Sequence, residues 1–339
     1  MQNNNNNDNL LSILTREGVL IKVSVSYWRG HKKLRPEDIG LEQKNLSDRL
    51  ISLGHKRLLP KESLQALALI EGRAHALVES NTFPFLNGLG HFLPNAKLSE
   101  VTGKLDEMQK EFWAAKDQFL EKYSSLRESA SQEWRKMAEK LVKDPDQFVA
   151  QIEASFPLPN QMDRYFGFAI QLFQIALPQK MSAELVCASE RQAVIEARQK
   201  AAQAAGQKIR SDVESFVGDC VASLREQTAQ LCEDMLSSIN GCETGVHQKT
   251  LNRLVKFIEQ FKSMNFANDQ VMEAQLENVK KELLSKTAEE YRDSAVARAR
   301  LKNGLSQLAN QAKQLAKQDA TELVNRFGEM GRRKFHLAA

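Results

Sequence analysis

"LSEVTGKLDEMQKEFWAAKDQFLEKYSSLRESASQEWRKMAEKL", residues 98–141, decides the fold class. From Leu98 the apolar positions Val101, Leu105, Met108, Phe112, Ala115, Phe119, Tyr123, Leu126, Ala130, Trp134, Met137 and Leu141 follow one another three and four residues apart. No strand has that period, so the spacing predicts one long helix over residues 97–143. Sustained for about six heptads it reads as a coiled-coil seam, on a helix of roughly 65 Å at about 1.5 Å per residue.

The proline distribution extends this reading toward the C-terminus. All eight prolines (36, 60, 84, 94, 145, 157, 159 and 178) precede residue 179. Beyond them little breaks a helix. A second long helix is expected from about Ser182 to Ile239, "NGCETG" (240–245) reverses the chain, and a third helix follows over 247–264. "NFAND" (265–269) interrupts it, and the remainder runs helically to about residue 329 with a bend at Asn303–Gly304. Outgoing and returning paths are similar in length, so an antiparallel helical hairpin of roughly 85 Å is the economical arrangement.

Before residue 178 the pattern is mixed. Val19, Ile21, Val23, Val25 and Tyr27 alternate with Lys22, Ser24 and Ser26, as a half-buried strand over 19–27 requires. Its expected partner is "FGFAIQLFQIAL" (166–177), whose first residues alternate in the same way. "FPFLNGLGHFLP" (83–94) predicts a hairpin or a further short strand, and a helix is expected from about Pro60 to Ser80. The fold class is thus mainly α, with long antiparallel coiled-coil helices and a small β element at about 19–27 and 166–177. The expected organisation is a disordered segment 1–9, an N-terminal α+β region 10–178, a helical hairpin 179–330 and a flexible basic tail 331–339.

Composition narrows the function classes. The net charge of +4 is mild, so local clusters carry more information than the total. Cys187, Cys220, Cys232 and Cys242 form no C-x-x-C pair and read as reduced thiols. The start, "MQNNNNNDN", has no basic segment leading into an apolar one, and no run of 18 apolar residues occurs. A soluble cytoplasmic protein is expected. The six histidines lack metal-ligand spacing, no phosphate-cradling G-x-x-x-x-G-K-[ST] loop is present, and acidic pairs such as Glu289–Glu290 lie on helix faces. Neither a catalytic set, a metal site nor a cofactor is expected, and the chain reads as a non-enzyme.

One stretch stands out chemically: "SYWRGHKKLRPEDIGL" (26–41), where Arg29, Lys32, Lys33 and Arg35 surround Trp28 and His31. Three readings stay open. It is a solvated turn whose cations pair with Glu37 and Asp38, a docking surface for an acidic protein partner, or a contact for nucleic acid phosphates with the ring available for stacking. "RRKF" (332–335) is a second basic cluster, read as a solubilising tail. The apolar run 166–177 is too short to cross a membrane as a helix, and a buried strand is favoured over a membrane-inserting tongue.

"VSVSYWRGHKKLRPEDIGL", "LGHKRLLPKESL", "FPFLNGLGHFLP", "FWAAKDQFLEKY" and "FGFAIQLFQIAL" occur in an order that resembles a bacterial family catalogued as domain of unknown function 3150. The resemblance covers about residues 17–178, and Trp28, Gly30, Lys32, Lys33, Leu34 and Pro36 are its most specific part. It implies a setting on mobile elements, beside a MoxR-like AAA+ ATPase and a von Willebrand factor A (VWA) domain protein, and no established activity. The expectation drawn from it is a non-enzymatic adaptor or structural subunit of such an ATPase system, in phage defence or DNA maintenance. In that reading Trp28, Arg29, Lys32, Lys33 and Arg35 bind the partner and the long helices self-associate. A DNA-binding or DNA-bridging protein is the alternative, and a membrane-inserting effector a weaker one.

Overall fold

The alternation of Val19 to Val25 forms strand β1 (Gly18–Ser26), with Ile21 and Val25 buried and Lys22, Ser24 and Ser26 exposed. A computed structural model describes residues 10, 13–36, 53–142, 144–174, 192–241, 246–317, 323, 324 and 327. The expectations for segment 1–9, the acidic turn at Glu37–Asp38, Cys187, Cys242 and the tail 331–339 lie outside the described residues. Five further strands follow: β2 (His31–Lys33), β3 (His55–Arg57), β4 (Phe83–Phe85), β5 (Gly90–Pro94) and β6 (Gly167–Phe173). The helices are α1 (Gln65–Asn81), α2 (Asn95–Leu141), α3 (Pro145–Ala154), α4 (Gln192–Asn240), α5 (Gln248–Met264), α6 (Gln270–Leu283), α7 (Ala288–Asp293) and α8 (Ala295–Lys317). The protein is mainly α-helical with a small antiparallel sheet, as expected.

That sheet has the hydrogen-bonded order β4-β5-β1-β6, so β1 and β6 are neighbours despite the long chain between them. β5 pairs antiparallel with β1 from Gly18↔Pro94 to Ile21↔His91, and β4 with β5, which makes "FPFLNGLGHFLP" the anticipated hairpin. A separate two-stranded ribbon joins β2 and β3.

Two compact units are present, and neither is one continuous stretch. The first draws on Met1–Ile21, Asn81–Ser99 and Leu172–Ala339, the second on Lys22–Ser80 and Glu100–Gln171.

In the first unit, Phe83, Phe85 and Phe92 of the hairpin pack against Phe216 of α4 and Phe266 after α5, with ring centroids 4.8–5.6 Å apart. Helix α4 lies along α8, and α6 and α7 also pack on α8. Among the described residues the return path from α4 is four helices: the break at 265–269 is the expected one, and two further breaks, at 284–287 and Ser294, divide the remainder. Local chemistry explains the breaks. Asn268 takes φ 59° and Asp269 caps α6 by accepting from the Met272 amide, while Thr287 and Glu290 form a reciprocal capping box at the start of α7. Where a bend is expected at Asn303–Gly304, α8 continues unbroken. Gly304 serves close packing instead: a Cβ there would lie 2.4 Å from Cδ1 of Leu283. Cys220 and Cys232 are buried free thiols, and burial pushes the Cys232 thiol up to about 12.

In the second unit, α2 buries Val101, Leu105, Phe112, Phe119, Tyr123 and Ala130, the anticipated stripe. At its end the stripe drifts: Ala138 is buried and Met137 is exposed, contrary to the seam assigned above. A straight helix of 3.6 residues per turn departs from a 3.5 repeat, and past Phe119 the buried positions move to wider spacing. Short elements cover this stripe. Phe166 and Phe168 pack on Phe112, Gln109 donates to the Phe168 carbonyl at 2.8 Å, and Tyr123 donates to the Pro157 carbonyl at 2.8 Å.

Candidate functional site

After β1 the second unit turns the chain at Gly30, whose φ of 61° is in the left-handed region that glycine tolerates best, and Gly54 repeats the geometry at 74°. Each glycine opens a three-residue strand. β2 and β3 pair antiparallel as His31↔Arg57, Lys32↔Lys56 and Lys33↔His55. Matching hydrogen bonds close the two ends: the Leu34 amide donates to the Gly54 carbonyl at 3.0 Å and the Leu58 amide to the Gly30 carbonyl at 2.7 Å. The ribbon is thus nearly two-fold symmetric, and the sequence says why. "GHKKLRP" (30–36) recurs as "GHKRLLP" (54–60). This internal repeat is the signal that identifies His55, Lys56 and Arg57 as members of the site, which the basic stretch 26–41 alone does not.

Every residue of the ribbon is therefore basic or a histidine. Because facing residues of an antiparallel pair share a side, Lys32 and Lys56 point one way and His31, Arg57, Lys33 and His55 the other. The first side is anchored. Lys56 is buried with its amino group 5.7 Å from the Phe148 ring centre, and Trp134 donates from Nε1 to the Arg57 carbonyl at 3.2 Å. Leu58 and Leu59 continue from β3 into the core. The second side is open: His31, Lys33, His55 and Arg57 are all exposed, as is Lys32 at the margin. His31 and His55 stack with centroids 4.9 Å apart. Among the described residues none of these five side chains forms an ion pair.

The five residues expected to bind a partner separate into two groups. Lys32, Lys33 and Arg35 are exposed on or beside the ribbon. Trp28 is not, and the expectation that its ring is presented to a ligand is corrected: it is 7% exposed and packs against Phe119, Tyr123 and Phe156 at 5.8–6.4 Å. So large an apolar ring gains more from burial than from exposure on the unit's surface. Arg29 is exposed but already paired. Its Nη1 and Nη2 donate to the two Glu71 oxygens at 2.7 and 2.6 Å, and its guanidinium lies 3.9 Å over the Tyr27 ring. The Arg29 hydrogen bonds hold the Glu71 carboxyl below the usual carboxylate range. Trp28 and Arg29 therefore fix the turn from which β2 departs.

The outer face of the ribbon concentrates positive charge, the chemistry that attracts anions. Among the described residues no cluster of His, Cys, Asp and Glu could hold a metal ion, and no helix is long and apolar enough to cross a membrane. A groove of about 770 Å³ in the first unit, between α4 and α5, is lined by Gln and Asn amides, by the charged Asp234, Lys249, Arg253 and Lys256, and by Leu231 and Phe257.

No curated protein and no solved structure matches the chain. A family model described as "Protein of unknown function (DUF3150)" matches residues 15–296, which takes in β1, the whole ribbon and the helices as far as the start of α8. A match over most of the sequence, the basic ribbon included, places the chain in the DUF3150 family.

Proposed function

We propose that this protein is a non-enzymatic nucleic-acid-binding protein and that the β2–β3 ribbon is its contact surface. The observation that carries the reading is a ribbon with a cation or histidine at all six strand positions, five of them exposed. A nucleic acid presents a regular row of phosphates, and each Lys or Arg that neutralises one releases a condensed counterion. Exposed carboxylates would spoil that exchange, and the ribbon carries none. The test is fluorescence anisotropy of labelled DNA against the full chain across a salt series. Affinity that falls steeply with salt, and falls again in Lys33→Glu and Arg57→Glu, supports the reading. Negligible binding at low salt removes it.

A second reading takes the same ribbon as the dock for an acidic face of a protein partner. Its support is the resemblance of residues 17–178, whose family neighbours are a MoxR-like AAA+ ATPase and a VWA-domain protein of mobile elements. The chain is then an adaptor of that system in phage defence or DNA maintenance. The heptad spacing of α2 and the pairing of α4 with α8 support a coiled-coil character for the long helices, through which copies self-associate. Affinity purification from the native host with and without nuclease separates the readings: a retained ATPase that survives digestion favours the adaptor, and proteins lost on digestion favour nucleic acid.

A further inference from the structure

From the near two-fold symmetry of the ribbon we infer its ligand: the outer face of β2–β3 docks in the major groove of double-stranded DNA, with the ribbon's pseudo-dyad along a dyad of the duplex. The inference rests on the nucleic-acid reading above and sharpens it. Repeat equivalence pairs His31 with His55 and Lys33 with Arg57. On the outer face these equivalents occupy the two diagonals. The histidines share the short one, stacked at 4.9 Å, so Lys33 and Arg57 lie on the other and point to opposite ends.

Two strands about 4.8 Å apart make a body that a B-form major groove, about 12 Å wide, admits. The groove's walls are two antiparallel phosphodiester strands related by a dyad, and the ribbon offers two equivalent cations related the same way. Lys33 meets one wall and Arg57 the other, while the stacked imidazoles face the base edges between them. A single strand has one wall and satisfies half of this arrangement. An A-form RNA duplex has a deep, narrow major groove that excludes the ribbon.

The experiment uses the full chain with one random sequence prepared as DNA duplex, DNA single strand and RNA duplex, titrated across salt. Wild type, Lys33→Ala, Arg57→Ala and the double variant are compared, with Lys302→Ala as control and circular dichroism to confirm folding. The duplex DNA is expected to bind roughly tenfold or more tighter than the other two, and each single variant to lower the salt slope by about 1. Methyl green, a major-groove ligand, is expected to compete and netropsin, a minor-groove ligand, not to. Equal or tighter binding of the single strand, loss from only one of Lys33 and Arg57, or competition by netropsin alone overturns the groove assignment while leaving nucleic-acid binding intact. Absence of binding to all three nucleic acids overturns the proposed function itself, and this inference with it.

Discussion

Gly30 and Gly54 are bound to each other's strands: each carbonyl accepts the amide of the leucine at the fifth position of the opposite copy of the repeat, and each glycine takes positive φ. The two positions are equivalent in sequence but not in surroundings. A Cβ on Gly54 meets nothing within 4 Å, whereas one on Gly30 lies 3.2 Å from Leu64 Cδ1. Gly54→Ala should therefore cost only the left-handed strain of about 1–2 kcal/mol. Gly30→Ala should cost more, because contact is added to strain. Chemical denaturation of the two variants measures the difference, and equal losses would remove the role given to Leu64.

Trp28→Ala removes a ring that Phe119, Tyr123 and Phe156 enclose. Large-to-small changes at buried aromatics cost about 3–5 kcal/mol, and loss of the near-ultraviolet dichroism of this cluster should accompany it. Lys33→Ala, four residues beyond Arg29 and exposed, should stay within about 0.5 kcal/mol of wild type. A stable Trp28→Ala protein with impaired binding would restore Trp28 as a contact residue.

The Arg29–Glu71 pair sets a pH dependence. Hydrogen bonds from Arg29 hold the folded-state pKa of Glu71 below its ordinary value, so the unfolded chain takes up the proton at higher pH. The stabilisation is present in full above the unfolded carboxyl value of about 4.3 and is lost as pH falls through the lower folded value. With the Arg29 side chain 44% exposed, solvent limits the pair to about 1 kcal/mol or less. Melting temperatures of wild type and Glu71→Gln should differ at pH 7 and converge as pH falls below the unfolded carboxyl value of about 4.3. A constant gap would mean that packing, not charge, carries the effect.

In the first unit, Arg225 donates from Nε to Asp269 at 2.7 Å and from Nη1 to the Leu315 carbonyl at 2.7 Å, with side-chain exposures of 7% and 2% for the pair. Asp269 also accepts from the Met272 amide at 3.3 Å, so one carboxylate caps α6 and anchors α4. Arg225→Met leaves that charge buried alone and should cost about 3–5 kcal/mol. Adding Asp269→Asn to Arg225→Met should cost much less than Asp269→Asn alone. Additive losses in this double-mutant cycle would show that the two side chains act independently.

Much of the architecture was legible because periodicity reports burial directly. The stripe of α2, the alternation of β1, the hairpin at residues 83–94 and the break after α5 each announce which side chains leave water, or where the backbone turns, whereas the buried strand expected at 166–177 is buried at Phe166 and Phe168 but exposed at Leu172 and Phe173. The errors have a common cause. Gly304 reads as a bend until Leu283 is seen against it, and Met137 reads as seam until the helix has turned far enough to replace it with Ala138. Thr287 and Glu290 spelled a helix start that apolar spacing alone passes over.

Residue type and spacing alone showed that this chain is mainly helical, where β1, the 83–94 hairpin and β6 fall and that charge gathers near residue 30, but not that residues 31–33 and 55–57 are strands. Which side chains are committed to contacts within the unit and which gather on the ribbon's outer face was settled by the meeting of distant segments. Arg29 is drawn onto Glu71 and Trp28 into an aromatic cluster, while Arg57, 24 positions after Lys33 in the chain, joins it on one face through strand pairing. Pairing and burial depend on which distant segments meet, and no local spacing carries that information.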